Sequence, residues 1–418
     1  MPSKGTGYQW RIGQALPILD EHSSAKHEVV RAYLDRYVRV MLANPRRPKL
    51  DLHIVDGFCG GGLYRDEHTL QETAGSPFVV TEALGEVMAS ITQTRTKPPT
   101  LNAKLWLIDS DPEAIQCLRV ALATRPVPPF VQPEVINDQF ERALPQVLDD
   151  ICPSERSRPR AIFLLDQYGY LDATYHQMRT IFDRIAGAEI LLTLSTDALL
   201  NFLTDSRNSR ERLAKLGLSA DEVEFVMTSK VDNTENRAIL SKYITVAIAR
   251  ASGAAYYTPF FITSRVSNRS YLLVHLSQQV RARNEMVEVH WATHNHFRHY
   301  GRPGLDMMGF DPLNNHGAQL DLYEFDDQAA KITHRALMEE LPGSGAFEND
   351  GTLHKDFVTR VCNDTPATQA QINAALIQLQ GIGELQIVTP AGACRQSATG
   401  VSAQDRIIRP RQTRFIFP

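Results

Sequence analysis

Three aspartates recur at almost constant intervals, each behind a short apolar run: Asp109, Asp138 and Asp166, 29 and 28 residues apart. Each interval is the length of one strand, one helix and their turns, so the chain between them reads as repeated β–α units. Leu52–Val55, Leu105–Ile108, Ala161–Leu165 and Ile190–Leu194 are nearly continuous in Leu, Ile and Val, as strands covered on both faces are. Helical stretches fall between them at Pro77–Val87, Pro112–Ala123 and Tyr175–Ile185. The expectation is a parallel sheet with helices on both faces. A fourth acid, Asp56, precedes Asp109 by 53 residues, an interval that needs an insertion. Leu63–Ser76 and the proline-rich Thr96–Thr100 can hold it.

The flanks read differently. Residues 1–50 form an N-terminal helical cap, in which Val29, Val30, Tyr33, Leu34, Tyr37, Val38, Met41 and Leu42 recur at helical spacing. Ser23 and Ser24 are its candidate N-caps, and Pro45 and Pro48 close the run. The sheet domain spans 51–280, with a helical, charged insertion at 198–250. Tyr256–Thr263 and Ser270–Leu276 follow as a β-hairpin around 264–269. A parallel sheet finished by an antiparallel strand is the arrangement of Rossmann-like methyltransferases, and less that of nicotinamide dehydrogenases. A polar connecting segment at 281–330 precedes a domain at 331–418. There, helices near 331–341, 352–363 and 367–380 lead into strand-like runs at Leu385–Thr389, Arg406–Ile408 and Thr413–Phe417. Three helices and a wing are the outline of a winged helix-turn-helix.

Composition removes several classes. No stretch approaches the ~18 apolar residues of a membrane span, and the first ten residues lack the apolar core of a signal peptide. The five cysteines, 59, 117, 152, 362 and 394, have no metal-ligand spacing, and an odd number argues against a disulfide framework. A cytoplasmic protein with reduced thiols is expected. The net charge of −4 offers no global attraction to nucleic acid, so such binding needs a local patch.

The chemistry concentrates at the strand ends. Asp56, Gly57, Phe58, Cys59, Gly60, Gly61 and Gly62 follow the first strand directly, where an open α/β sheet places its ligand. The glycines do not have the spacing of a dinucleotide fingerprint, and no Lys-Ser/Thr pair follows to make a phosphate loop. A carboxylate in that loop suits a cationic sulfonium and repels a pyrophosphate. The expected cofactor is therefore S-adenosylmethionine, held by Asp56, Gly57, Phe58, Cys59, Gly60 and Gly62. Asp109 would grip the ribose hydroxyls and Asp138 the adenine amine. Any one of these acids is more simply a helix N-cap, and Asp111 before Pro112 is read as one. All of them at strand ends is the stronger pattern. Asp166, Gln167 and Tyr168 end the fourth strand. Amino-methyltransferases place an acid or amide there to accept from the target amine, and an aromatic to stack on the base. Asp166 is the candidate acceptor and Tyr168 the platform. Cys59 lies in the cofactor loop and reads as a small packing residue, not a nucleophile.

Other constellations read more simply. His290, His294, His296 and His299 lack any HExxH pattern and read as a polar cover over the cleft, without metal. Arg207, Arg210, Arg212 and Lys215 read as a solvated helix face. In the C-terminal domain, Thr365 and Pro366 are expected to open a helix from which Gln369, Gln371 and Asn373 project toward base edges. Arg406, Arg409, Arg411 and Arg414 could meet phosphates, so residues 365–414 are a candidate nucleic-acid surface. Winged helices also serve as protein-docking modules, and that alternative stays open.

Several short motifs resemble the three-Cys-motif partner proteins, the TcmP family, over most of the chain. They are Lys26-His27 with Tyr33-Leu34, Asp56-Gly57-Phe58, Gly75-Ser76-Pro77, Leu165-Asp166-Gln167-Tyr168-Gly169, Gly304 to Phe310, and Asn363 to Thr368. The resemblance implies a methyltransferase-like fold and a cysteine-rich partner protein in a defence or mobile-element context. Two departures stand out: Cys59 and Gly61 replace the Ala and Pro usual in the family's loop, and Gln167-Tyr168 replace Pro-Phe. The second falls where chemistry would occur. Two functions remain: methyl transfer to a nucleic-acid base amine, or a non-catalytic scaffold that docks a protein through its winged helix.

Overall fold

The computed structural model describes residues 8–154, 156–166, 173–195, 207–215, 217–228, 234–263, 270–293, 297–299, 303–307, 321–323, 325–345, 347 and 350–410. They fall into two compact units, Met1–Val289 and His290–Pro418. In chain order the first unit begins with β1 (Ile18–Leu19), α1 (Glu21–Met41), β2 (Lys49–Asp56), β3 (Leu63–Asp66), β4 (Glu72–Ala74) and α2 (Ser76–Thr94). It continues with β5 (Thr100–Asp109), α3 (Pro112–Thr124), β6 (Val131–Asn137), α4 (Phe140–Ile151), β7 (Ala161–Asp166), α5 (Tyr175–Arg184) and β8 (Ala188–Ser195). The helices α6 (Arg207–Lys215), α7 (Ala220–Thr228) and α8 (Thr234–Ser252) follow, then β9 (Tyr256–Thr263), β10 (Ser270–Ser277) and α9 (Val280–Ala292).

Seven strands form one sheet in the order β6-β5-β2-β7-β8-β10-β9. β6, β5, β2, β7 and β8 are parallel, and β10 runs antiparallel to both neighbours. This order, with its one reversed strand inserted next to the edge, is that of the Rossmann-like methyltransferase sheet. Period-two alternation feeds two cores. Val55, Trp106, Ile108, Phe163, Leu165, Ile190 and Val274 face α4, α5 and α8. Leu52, Ile54, Leu105, Leu107, Ile162, Leu191 and Leu273 face α1, α2 and α3. Because both faces are covered, a polar side chain can reach open space only at a strand end, which is where the aspartates lie.

The leading helix α1 is capped by Asp20, whose carboxylate accepts from the Ser23 N–H at 2.7 Å, so neither Ser23 nor Ser24 is the cap. Asp20 sits one residue before the first helical residue, the position from which a short acceptor reaches N3. The insertion between β2 and α2 supplies β3 and β4, which join β1 of the N-terminal segment in a small sheet of order β1-β3-β4. Asp111 caps α3 as expected, accepting from Glu113 N, with Pro112 at the first helical position.

In the second unit, β11 (Phe297–His299) pairs with β12 (Asp321–Tyr323). After them come α10 (Asp327–Gly343), β13 (Thr352–Leu353), α11 (His354–Val361), α12 (Gln369–Gly381), β14 (Gln386–Val388) and β15 (Arg406–Ile408). The strands form an antiparallel sheet in the order β13-β15-β14, and the β14–β15 connection is the wing of a winged helix-turn-helix. Leu337, Leu341, Phe347, Phe357, Leu376, Ile387 and Ile407 are buried in this unit, with the Phe347 and Phe357 rings 5.0 Å apart. The α12 helix opens later than the sequence pattern suggests. Thr368 is its N-cap, in a reciprocal capping box with Gln371, while the Thr365 hydroxyl donates to Gly304 O at 2.7 Å.

Phe163 lies fully buried on the central strand β7. Phe163→Ala is expected to cost about 3–5 kcal/mol by lost transfer energy and the cavity left behind, read from denaturant unfolding. A loss below about 1 kcal/mol would contradict the two-layer packing around this strand.

Candidate functional site

The order of the sheet reverses between β2 and β7, since β5 and β6 lie on one side and β8, β10 and β9 on the other. At such a switch point the carboxyl ends of adjacent strands part and leave a crevice. Asp56 ends β2 and Asp166 ends β7, one on each side of it. Asp109 ends the neighbouring strand β5. The loop after β2 spans all three strands: Gly57 N–H donates to Leu164 O and Cys59 N–H to Ile108 O, each at 3.0 Å.

Asp56 is buried at 1% exposure. Its carboxylate accepts from the Ser76 hydroxyl at 2.6 Å and from Phe58 N–H at 3.3 Å. Burial pushes its pKa from 3.8 to about 7, the two hydrogen bonds oppose the shift, and the charges of Asp166 and Asp109 reinforce it. Burial likewise raises Asp109, against hydrogen bonds from Asp111 and Gly60. The Asp109 carboxylate accepts from Gly60 N–H at 2.9 Å and Asp111 N–H at 2.8 Å. It thus joins the glycine loop to the start of α3. Asp138 is half-buried beyond the end of β6 and accepts from Gln139 N–H at 2.8 Å, while Asn137 donates to Asp109 O at 2.9 Å.

The glycines serve the protein's own packing. A Cβ on Gly61 would lie 2.3 Å from the Trp10 ring, and one on Gly60 would lie 2.5 Å from it. Gly60 and Gly62 also have φ of +59° and +81°, which side-chain-bearing residues adopt poorly. The Trp10 indole donates to Leu63 O at 2.8 Å and clusters with Tyr8 and Tyr64. The N-terminal segment therefore seats directly on the loop. Phe58 leans on Phe140, with ring centroids 5.8 Å apart. Cys59 is 2% exposed and burial drives its thiol well above the ordinary range, so it is a packed thiol and not a nucleophile.

Asp166 has a partner that the aspartate spacing did not indicate. The Lys26 ammonium, from α1, donates to both carboxylate oxygens at 2.7 and 2.6 Å. Lys26, Ser76 and Trp10 were thus absent from the expected site. The first two stood inside motifs carried by the family resemblance, Lys26-His27 and Gly75-Ser76-Pro77, but spacing gave them no role. Gln167 and Tyr168 lie outside the described residues. So do His294 and His296, and of the histidine cluster His290 is buried at the end of α9. Among the described residues no group of three or more His, Cys, Asp or Glu could hold a metal ion. Among them, too, no helix is long and apolar enough to cross a membrane.

The α12 helix corrects a second expectation. Asn373 is buried and its amide oxygen lies 2.7 Å from His354 Nε2, and Gln371 is consumed by the capping box. Neither side chain projects outward to read a base. Arg406 is exposed and donates to Asp350 O and Gly351 O, Arg395 is paired with Asp405 on the wing, and Arg411 and Arg414 lie outside the described residues.

A family model described as the GMT-like winged helix-turn-helix domain matches residues 309–392. No curated protein matches the chain. Among solved structures, a Legionella pneumophila protein of the DUF519 family aligns at 10% identity over 60% of this chain and 85% of its own, with a TM-score of 0.33. Trm1 of Pyrococcus horikoshii, solved with S-adenosyl-L-methionine, aligns at 12% identity over 96% and 95% of the two chains, with a TM-score of 0.32. A loganic acid methyltransferase solved with SAH aligns at 11% identity over 67% and 84%, with a TM-score of 0.29. At such scores the fold assignment rests on the strand order itself.

The buried Asp56 carboxyl gives a signed prediction. An acid whose pKa is raised on folding binds its proton more tightly when folded, so its contribution to stability is lost as pH rises from about 4 through about 7. Asp56→Asn removes that loss. The variant should be more stable than wild type at pH 8, by on the order of 4 kcal/mol, and nearly equal to it at pH 4. Denaturant unfolding at the two pH values reads the difference, and a gap independent of pH would contradict the assignment.

Proposed function

We propose that this protein is an S-adenosylmethionine-dependent methyltransferase whose acceptor is an amine on a nucleic-acid base. The observation that carries the reading is the convergence of Asp56, Asp109 and Asp166 at the switch point of a sheet with methyltransferase strand order. The donor set fits the cofactor. Carboxylates suit both ribose hydroxyls and a cationic sulfonium, and no arginine or lysine in the glycine loop invites a phosphate. When bound, S-adenosylmethionine supplies an electrophilic methyl group and leaves as the neutral thioether S-adenosylhomocysteine.

The roles of the chain's own residues follow. Asp109 holds the ribose, Asp138 accepts from the adenine amine, and the loop from Asp56 through Gly57, Phe58, Cys59 and Gly60 to Gly62 shapes the cradle. Asp166 accepts a hydrogen bond from the target amine and orients its lone pair toward the methyl carbon. The same carboxylate would take the proton that the acceptor nitrogen gives up and pass it to solvent. Gln167 and Tyr168 complete the acceptor side, with Tyr168 as the stacking platform. The cap at 1–50, the sheet domain at 51–280, the connecting segment at 281–330 and the winged helix at 331–418 divide the labour, with residues 365–414 as the nucleic-acid surface.

One observation favours a second reading for the C-terminal domain. The exposed positions of α12 are Ala370, Ala374, Gln378 and Gly381, none of them charged. A helix face without a cation attracts phosphates poorly. A protein partner, such as the cysteine-rich protein implied by the resemblance to three-Cys-motif partner proteins, would dock there.

Transfer of tritium from methyl-labelled S-adenosylmethionine to mixed-sequence single-stranded DNA and to total RNA tests the main reading. Wild type should label one of them, and Asp166→Ala should lower the rate by at least about 100-fold. Unchanged labelling by the variant would remove Asp166 from the reaction.

A further inference from the structure

We propose that Lys26 is a positioning residue of the methyl-transfer site: its ammonium clamps the Asp166 carboxylate from the protein side, so that the opposite edge meets the acceptor in a fixed orientation. The inference rests on the methyltransferase reading above and assigns a function to a residue outside the strand-end set.

The geometry has a direction. Lys26 Nζ lies 2.7 and 2.6 Å from the two oxygens of Asp166, a symmetric grip by a single donor group. The lysine side chain is 9% exposed and the aspartate side chain 40% exposed. The cation is therefore on the closed side and the carboxylate faces out. An ionised carboxylate offers about four lone-pair sites, and this grip uses one on each oxygen, which leaves the outer pair for an incoming N–H.

The surroundings give the clamp its task. Asp56 on β2 is close enough for the Asp166 charge to act on it, and so is the Tyr64 phenol on β3. Asp20, the cap of α1, faces Lys26, and His27 beside it is held neutral, near pKa 4, by burial and by the Lys26 charge. Without Lys26 the Asp166 carboxylate would share the crevice with the Asp56 carboxyl and be free to turn. With it the pair is neutral overall and still accepts hydrogen bonds, which suits a neutral amine acceptor. The lysine spans 140 residues of sequence to reach its partner, so the helical cap contributes to the site and does not merely cover the sheet.

Four full-length variants, Lys26→Met, Lys26→Arg, Asp166→Asn and Lys26→Met/Asp166→Asn, test the role. Calorimetry reads S-adenosylmethionine affinity, and the tritium assay on DNA and RNA reads kcat and KM. Lys26→Met should lower kcat by about 100-fold with the cofactor Kd within about threefold of wild type, and Lys26→Arg should recover most of the rate. The double variant should be no slower than Asp166→Asn alone, because the two side chains act as one unit. Wild-type kcat in Lys26→Met would overturn the proposal. So would an equal loss of kcat and cofactor affinity in both Met and Arg variants, the mark of a purely structural pair. A wild-type protein that binds no S-adenosylmethionine would instead overturn the methyltransferase reading, and the role of Lys26 with it.

Discussion

Three carboxylates share the carboxyl edge of one sheet, and drawing carboxylates out of water into a partly closed crevice opposes the fold that brings them there. The surrounding polar groups of the first unit offset that cost. Ser76, at the first residue of α2, donates to Asp56. The backbone N–H groups of Gly60 and Asp111 hold Asp109, and Lys26 crosses from α1 to Asp166. Each device satisfies one acid, yet Asp56 keeps a pKa near 7. A site kept electrostatically strained at a switch point is the signature of ligand binding more than of stability. A bound cation would relieve what the protein alone leaves partly uncompensated.

The glycine loop joins that edge to the N-terminal segment. It carries hydrogen bonds to β5 and β7, and it lies so close under Trp10 that Gly60 and Gly61 leave no room for a methyl group. Gly60 is required by contact with an aromatic ring and by its left-handed backbone, and Gly61 by that contact alone, whatever ligand lies beyond. The cap, the loop and the sheet edge therefore form one packed assembly. A change in Trp10 or in α1 reaches the candidate site through direct contacts.

Much of this was legible in the sequence because burial on both faces of a parallel sheet writes itself as Leu, Ile and Val runs, and strand–helix units have a fixed length. Asp109 and Asp166 were found as strand-end residues by that arithmetic, and Asp56 by the apolar run before it and the glycine loop after it. Lys26 was not, because a lysine on a helix reads as solvated, and no periodicity reports a partner 140 residues away. Trp10 was hidden for the same reason, in a segment without regular structure before α1. Local signals erred where two acceptors competed. Asp20 took the cap expected of Ser23 or Ser24, and Thr368 took the one expected of Thr365. Asn373, read as a base contact, is instead fixed to His354 inside the winged helix. A polar side chain on a helix carries no mark in the sequence of which way it faces.

The central claim is that the crevice between β2 and β7 binds S-adenosylmethionine, and calorimetric titration of the full-length protein tests it most directly. The account predicts micromolar affinity for S-adenosylmethionine and S-adenosylhomocysteine, weakened at least about tenfold in Asp109→Ala, a loss of roughly 1.4 kcal/mol or more. Absence of binding to either ligand, or affinity indifferent to Asp109, would contradict it.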